Sequence, residues 1–313
     1  MNKAILLRPL ADADVAEHAN LLYSSFNAWY WRHGWGKNYF GCSPQETSIF
    51  YDIYNDLSPG CSIAAFDEES DRMLGACFYH PREHHVSLGI MGVHPNYGGR
   101  GVGRQLVSHI LDYTREHGFA SCRLVSSAIN MDSFSLYNRA GFIPRETYHD
   151  MVINVPLDGF DNVSVRGEAR VREATRHDIK AMGELEMEVS GIRREIDYRY
   201  AIDNPRDVLH ALVYENDQQG IDGFMISVKH PALNMLGPCV ARSEEVAIAL
   251  IRKAIERFRG ICVLFSIPME KRKMVEQMYA WNAVNVETHL KEVWGEFPGF
   301  NGVSMPSFLP ETG

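Results

Sequence analysis

The feature that most limits what this chain can fold into is a six-residue turn, G-G-R-G-V-G at 98–103. It lies between a predicted strand, HHVSLGIMGV at 84–93, and a predicted helix over 101–118. Gly98, Gly99, Gly101 and Gly103 carry no side chains, so main-chain N–H groups there can approach a ligand closely. The first N–H groups of a helix have no internal acceptors, and the macrodipole makes that end partly positive. A pyrophosphate is the natural guest of such a mouth, and Arg100 and Arg104 add positive charge. Val102, Leu106, Ile110 and Tyr113 recur at helical spacing, which predicts a helix with one face on a core. A strand at 120–127 and a short helix within 130–142 follow. The dinucleotide fingerprint G-x-G-x-x-G has a different spacing, and the G-K-[ST] of a Walker loop is absent. The plain alternative is a turn that merely joins strand to helix.

Two stretches then carry a resemblance. VHPNYGGRGVGRQLV resembles motif A of the GNAT superfamily of N-acetyltransferases, and NMDSFSLYNRAGF resembles its motif B, N-x-x-[SA]-x-x-L-Y-x-x-x-G-F. They occur in the family's order. One departure is plain: Gly98 stands where the family has Gln or Arg. The fold class implied is α/β (α+β), with two tandem GNAT-like domains, each a mixed, largely antiparallel twisted sheet flanked by helices.

A length of 313 residues suits two domains of ordinary size, and an apolar fraction of 45% supports well-formed cores. A net charge of −9 argues against a general nucleic-acid binder. Six cysteines without a C-x-x-C predict reduced thiols. Nothing in the chain reads as a membrane span or a secretory leader, so a cytoplasmic protein is expected, monomeric or homodimeric, with no metal. The five residues LPETG at 309–313 resemble a sortase pentapeptide, and are expected to be a tagging remnant or chance, without functional weight.

Residues 1–156 are read as the catalytic domain, 157–167 as a linker, 168–305 as a degenerate GNAT-like domain and 306–313 as a tail. In the first domain the predicted elements are an edge strand at 4–9, helices at 12–24 and 43–55, a hairpin of strands at 61–66 and 73–79, and a closing strand at 145–155. The second half repeats the first weakly. Arg8 matches Arg172 and Asp14 matches Asp178, Met278 aligns with Tyr137, and the Glu-Thr at 287–288 echoes that at 146–147. Its counterpart of the glycine turn, VARSEEVA, has no glycine, and Glu244 and Glu245 would repel a pyrophosphate.

The resemblance implies acetyl-CoA as acyl donor, lying where the strand ending at Val93 splays from 120–126. Gly89 and Gly92 suit a bulge there. Pantetheine would pair with the edge at Met91, Gly92 and Val93, with the Met91 N–H polarising the thioester carbonyl. Gly98, Gly99, Arg100, Gly101, Val102, Gly103 and Arg104 would hold the pyrophosphate, and Asn130 and Ser133 would orient the arm. Tyr137 matches the family's general acid. The family's base is often a carboxylate on the motif-A strand, at a position held here by Ser87. His85 and Glu83 share its parity and are the candidate bases, the plain alternative being surface residues. An amine of low pKa would need no base. The aromatic run at 26–40, with Trp29, Trp31, Trp35 and Tyr39, is the candidate acceptor wall, or else packs on the second domain. The expected activity is acetyl transfer to a primary amine of a small molecule or peptide. The alternatives are a non-catalytic acyl-CoA-binding regulator, or a tandem transferase like the mycothiol synthases, although that family keeps its intact site in the second half.

Overall fold

A computed structural model describes residues 5–33, 37–160 and 164–311. The first half comprises β1 (Ile5–Arg8), α1 (Val15–Arg32), α2 (Ser48–Leu57), β2 (Ser62–Asp67), β3 (Met73–Pro81), β4 (His85–Val93), α3 (Val102–Glu116), β5 (Ser121–Ser127), α4 (Met131–Arg139) and β6 (Ile143–Asn154). The second repeats the pattern with β7 (Val171–Glu173), α5 (Ile179–Ser190), α6 (Glu195–Asp203), β8 (Leu209–Glu215), β9 (Ile221–His230), β10 (Leu233–Ala241), α7 (Glu244–Ile255), β11 (Cys262–Pro268), α8 (Arg272–Ala280) and β12 (Val284–Gly295). A short β13 (Val303–Met305) follows.

Most predicted elements fall within two or three residues of those observed. The second helix opens with a 3-10 turn at Pro44–Thr47 before α2 begins, and the first runs to Arg32 rather than ending near 24. No glycine or proline interrupts it before position 34, so part of the aromatic run at 26–40 is helical.

The repeat is visible in hydrogen bonds. Arg8 donates to both oxygens of Asp14 at 2.6 and 2.9 Å, and Arg172 makes the same fork on Asp178 at 2.9 and 2.9 Å. Each carboxylate also accepts the N–H three residues before it, from Ala11 and from Thr175. The α4 and α8 frames coincide too. The N–H of Phe142 reaches the Tyr137 carbonyl, and that of Ala283 reaches the Met278 carbonyl.

The sheet does not divide where the sequence does. Its strand order is β1-β2-β3-β4-β5-β12-β6-β11-β10-β9-β8-β7, with β13 added to β10. β6 was expected to close the first domain, but it pairs with β11 and β12. β12 crosses back to lie against β5. Each half thus lends its last strand to the other. On one face, α1 and α2 share a continuous apolar core with α5 and α6. On the other, α3 with α4 and α7 with α8 cover separate cores. Between the halves the buried Arg82 guanidinium forks onto Asp197, an arrangement whose one-sided removal typically costs about 3–5 kcal/mol.

The tail is not idle. Leu309 is fully buried in the shared core, Phe308 packs its ring 5.3 Å from that of His289, and Tyr54 Oη donates to the Phe308 carbonyl at 2.8 Å. Thr312 and Gly313 lie outside the described residues.

Candidate active site

β4 and β5 run parallel and in register only over His85–Ser121, Val86–Cys122 and Ser87–Arg123, and then part. In β4 the pairing with β3 slips between Tyr79–Leu88 and Cys77–Met91, so Gly89 and Ile90 bulge opposite Phe78. Glycine fits there because a Cβ on Gly89 would lie 3.1 Å from the Phe78 Cβ and carbonyl oxygen. Beyond the bulge, Met91, Gly92 and Val93 pair with β3 on one side only. The other edge faces a cleft of about 1150 Å³.

Gly101 caps the N-terminus of α3 with φ +81, a left-handed conformation that favours glycine. The first hydrogen bond of this helix runs from the Gln105 N–H to the Gly101 carbonyl, 3.1 Å. Ahead of it, the main-chain N–H groups from Gly99 to Arg104 have no protein acceptor among the described residues. Gly98, Gly99, Arg100, Gly101, Val102, Gly103 and Arg104 all line the cleft, and the Arg100 guanidinium sits 4.9 Å from the centre of the Tyr97 ring. Unpaired N–H groups at a helix mouth fit a diphosphate, and a one-sided strand edge fits an amide-bearing arm.

Across the cleft Asn130 caps α4, its side chain accepting the Ser133 N–H at 3.1 Å, and both residues line the wall. About two turns beyond Asn130, Tyr137 opens on the same cleft although it is only 5% exposed. Burial, reinforced by Cys77, Glu292 and Glu311, pushes its phenol well above the ordinary value, so it is protonated at neutral pH.

Of the aromatic candidates, Trp29 and Tyr39 line the cleft. Trp31 is 54% exposed, and its Nε1 donates to Asn38 at 2.6 Å away from the cleft. Trp35 lies outside the described residues. Tyr30 lines the cleft as well and reaches the second half, donating to Glu287 at 2.9 Å.

The two candidate bases do not reach the cleft. Glu83 is exposed beside His84 at 3.4 Å. His85 is fully buried, and burial together with Arg123, Arg194, Arg82 and Lys291 drives its pKa well down. Glu83 precedes the first residue of β4, and at His85 β4 and β5 are still joined, so His85 meets no opening.

The second half contributes residues that the sequence did not announce. Leu233, His289, Phe308 and Glu311 all line the first half's cleft. His289 Nδ1 lies 2.8 Å from Asp150, whose other oxygen accepts from Ser266 at 2.7 Å. Glu287 accepts from Tyr30 and Ser127. Asp150, Glu287 and His289 bring their ligand atoms within 4.8 Å of one another, a grouping able to hold a cation, although each is already engaged by protein partners.

The equivalent cleft of the second half is filled from within. β10 and β11 are parallel only at Met235 and Leu236, and β10 bulges at Gly237–Pro238 as β4 does at Gly89–Ile90. Here β13 pairs with Cys239–Ala241, the positions equivalent to Met91–Val93. At the α7 mouth, Ser243 caps the helix, Glu245 holds Lys273 at 2.6 Å and Glu244 accepts the Met274 N–H at 3.1 Å. Met278, in Tyr137's place, is fully buried, and the adjacent Tyr279 points to solvent at 48% exposure.

The family comparison matches this geometry. A family model described as Acetyltransferase (GNAT) family covers residues 21–142, and a second, described as Acetyltransferase (GNAT) domain, covers residues 182–291. The chain is a tandem GNAT protein. Among solved structures it is similar to a proposed acetyltransferase from Pyrococcus horikoshii (TM-score 0.76, 17% identity), which covers 98% of this chain and 95% of its own. A GCN5-related N-acetyltransferase from Sphaerobacter thermophilus has TM-score 0.63 and 17% identity, covering 95% of this chain and 97% of its own. A tandem GNAT protein from the clavulanic acid biosynthesis pathway has TM-score 0.61 and 15% identity, covering 93% and 98%. At these identities the likeness is one of fold, extending over both GNAT halves. None of the curated proteins matches in sequence. No helix among the described residues of this GNAT protein is long and apolar enough to cross a membrane.

Proposed function

We propose that the first half transfers an acetyl group from acetyl-CoA to a primary amine of a small molecule or peptide, and that the second half has no acyl-CoA site of its own. The observation that carries this reading is the convergence on one cleft of three features: acceptorless N–H groups at the α3 mouth, the one-sided edge of β4, and the buried Tyr137. Gly99 to Arg104 hold the diphosphate, Met91 to Val93 pair with the pantetheine arm, and the Met91 N–H polarises the carbonyl under attack. Asn130 and Ser133 orient the arm, and Trp29 and Tyr39 bound the acceptor side.

Tyr137 supplies a proton toward the departing sulfur. On reference values a phenol, about 10, is a weaker acid than a thiol, about 8.5, so complete transfer to a free thiolate is uphill. Burial steepens that slope. Tyr137 therefore acts while the C–S bond is breaking and is re-protonated by the amine proton that becomes surplus as the amide forms.

The test is thiol release from acetyl-CoA over a panel of amines and amino-sugars, alongside calorimetry. One acetyl-CoA per chain is expected. Tyr137→Phe should retain acetyl-CoA binding and lose about 10²- to 10⁴-fold in kcat, the usual scale of acid–base catalysis. Acetyl-CoA binding without turnover on any amine would favour a binding module instead, and no binding at all would end both readings.

A further inference from the structure

With Glu83 and His85 away from the cleft, the first half presents no carboxylate or free imidazole on β4 to take a proton from an amine. The second half does present one. Glu311 lines the cleft at 9% exposure, and its Oε2 has no hydrogen-bond partner among the described residues. Its main chain lies beside the β3–β4 bulge. Tyr54 fixes that position. Its phenol oxygen donates to the Phe308 carbonyl and also meets the main chain of Ile90 and of Glu311. Ile90 is the bulge residue immediately before Met91.

The segment that carries Glu311 is built into the fold. Leu309 is fully buried in the core shared by the two halves, and Phe308 packs on His289. A removable plug would rest on exposed anchors, whereas these residues complete the core beneath the cleft. A carboxylate nine-tenths buried with one oxygen unpartnered is costly to keep unless a cationic or proton-donating guest visits it.

We propose that Glu311 is the proton acceptor for the incoming amine, and that residues 308–311 form the acceptor-side wall of the first half's cleft; this rests on the transferase reading above. The carboxylate takes one proton from the substrate ammonium, which frees the nitrogen lone pair. The N–C bond then forms as the C–S bond breaks. The second nitrogen proton passes through Tyr137 to sulfur, and the carboxyl returns its own proton to solvent. A primary ammonium next to a carboxylate and an aromatic wall of Trp29, Tyr39 and Phe308 is the acceptor class this arrangement favours. Burial also holds the carboxyl well above the ordinary carboxylate range, which moves it toward the pH at which a base works.

The test is Glu311→Gln, close in shape and unable to accept a proton in the same way. Acetyl-CoA affinity should be retained. Turnover at neutral pH should fall about 10²- to 10⁴-fold, and the acid limb of the kcat/KM pH profile should move up to the pKa of the amine itself. A second readout needs no activity. A buried carboxyl with a raised pKa loses its proton in the unfolded chain first, so wild-type stability should fall as pH rises above the ordinary carboxylate range. The Gln variant should lack that fall, and its thermal midpoint should gain on the wild type between pH 5 and pH 8. An active wild type whose acid limb keeps its position in Glu311→Gln, or moves only in His289→Gln, overturns the assignment while leaving the transferase reading intact. A wild type that releases no thiol with any amine removes that reading first and this one with it.

Discussion

At the scale of single residues, the informative positions are polar groups placed where the two halves meet. His289 shows how a neighbour can outweigh burial. Burial alone would depress its pKa, but Asp150, aided by Glu287, raises it. The imidazolium–carboxylate pair therefore contributes stability that is fully present below the ordinary histidine value and is lost as pH rises through the raised one. His289→Gln should cost thermal midpoint at pH 6 and much less at pH 8.5, as read by differential scanning calorimetry. Residues of this kind were illegible in the sequence. Nothing near LKEVW or NVETH marks a histidine that will face a cleft belonging to the other half, because its placement depends on a pairing more than 150 residues distant. Tyr137 was legible for the opposite reason. Its environment is set by the short helix around it and by the Gly141–Phe142 turn, all contained in one contiguous motif.

At the scale of elements, the same split separates what the pattern predicted from what it missed. The α3 mouth is local chemistry, so its glycines announced it. At Gly101 a β-branched side chain meets the left-handed backbone and crowds N–H groups that must stay open. Gly101→Val should therefore abolish acetyl-CoA binding by calorimetry, while far-UV circular dichroism stays close to wild type. The candidate bases failed for an elementary reason of register. Parity puts His85 and Ser87 on one side of β4, but Glu83 precedes the strand, and parity does not say where β4 parts from β5, which is beyond His85 and Ser87. β13 was missed because three residues carry too little periodicity to read. It nevertheless decides the fate of the second cleft. The strand edge that a ligand would use is already paired with the chain itself.

At the scale of the whole molecule, the exchange of β6 and β12 makes one sheet of the two halves. The reading of two tandem copies was right about the repeat. It could not see that the terminal strands cross over, since an antiparallel partner from either copy satisfies the same alternating pattern. The consequence for stability is direct. A fragment of residues 1–160 would expose the β5 edge and leave β6 without both partners. It should be insoluble or unfolded by circular dichroism when made alone, and should recover structure when co-expressed with residues 164–311. The intact chain should unfold in one transition, followed in urea by tryptophan fluorescence and circular dichroism together.

That crossover also sets the order in which the protein can become competent during synthesis. The glycine mouth and Tyr137 leave the ribosome early, yet one wall of their cleft waits for residues 284–311. A chain interrupted before that point carries both signature motifs but no finished chamber.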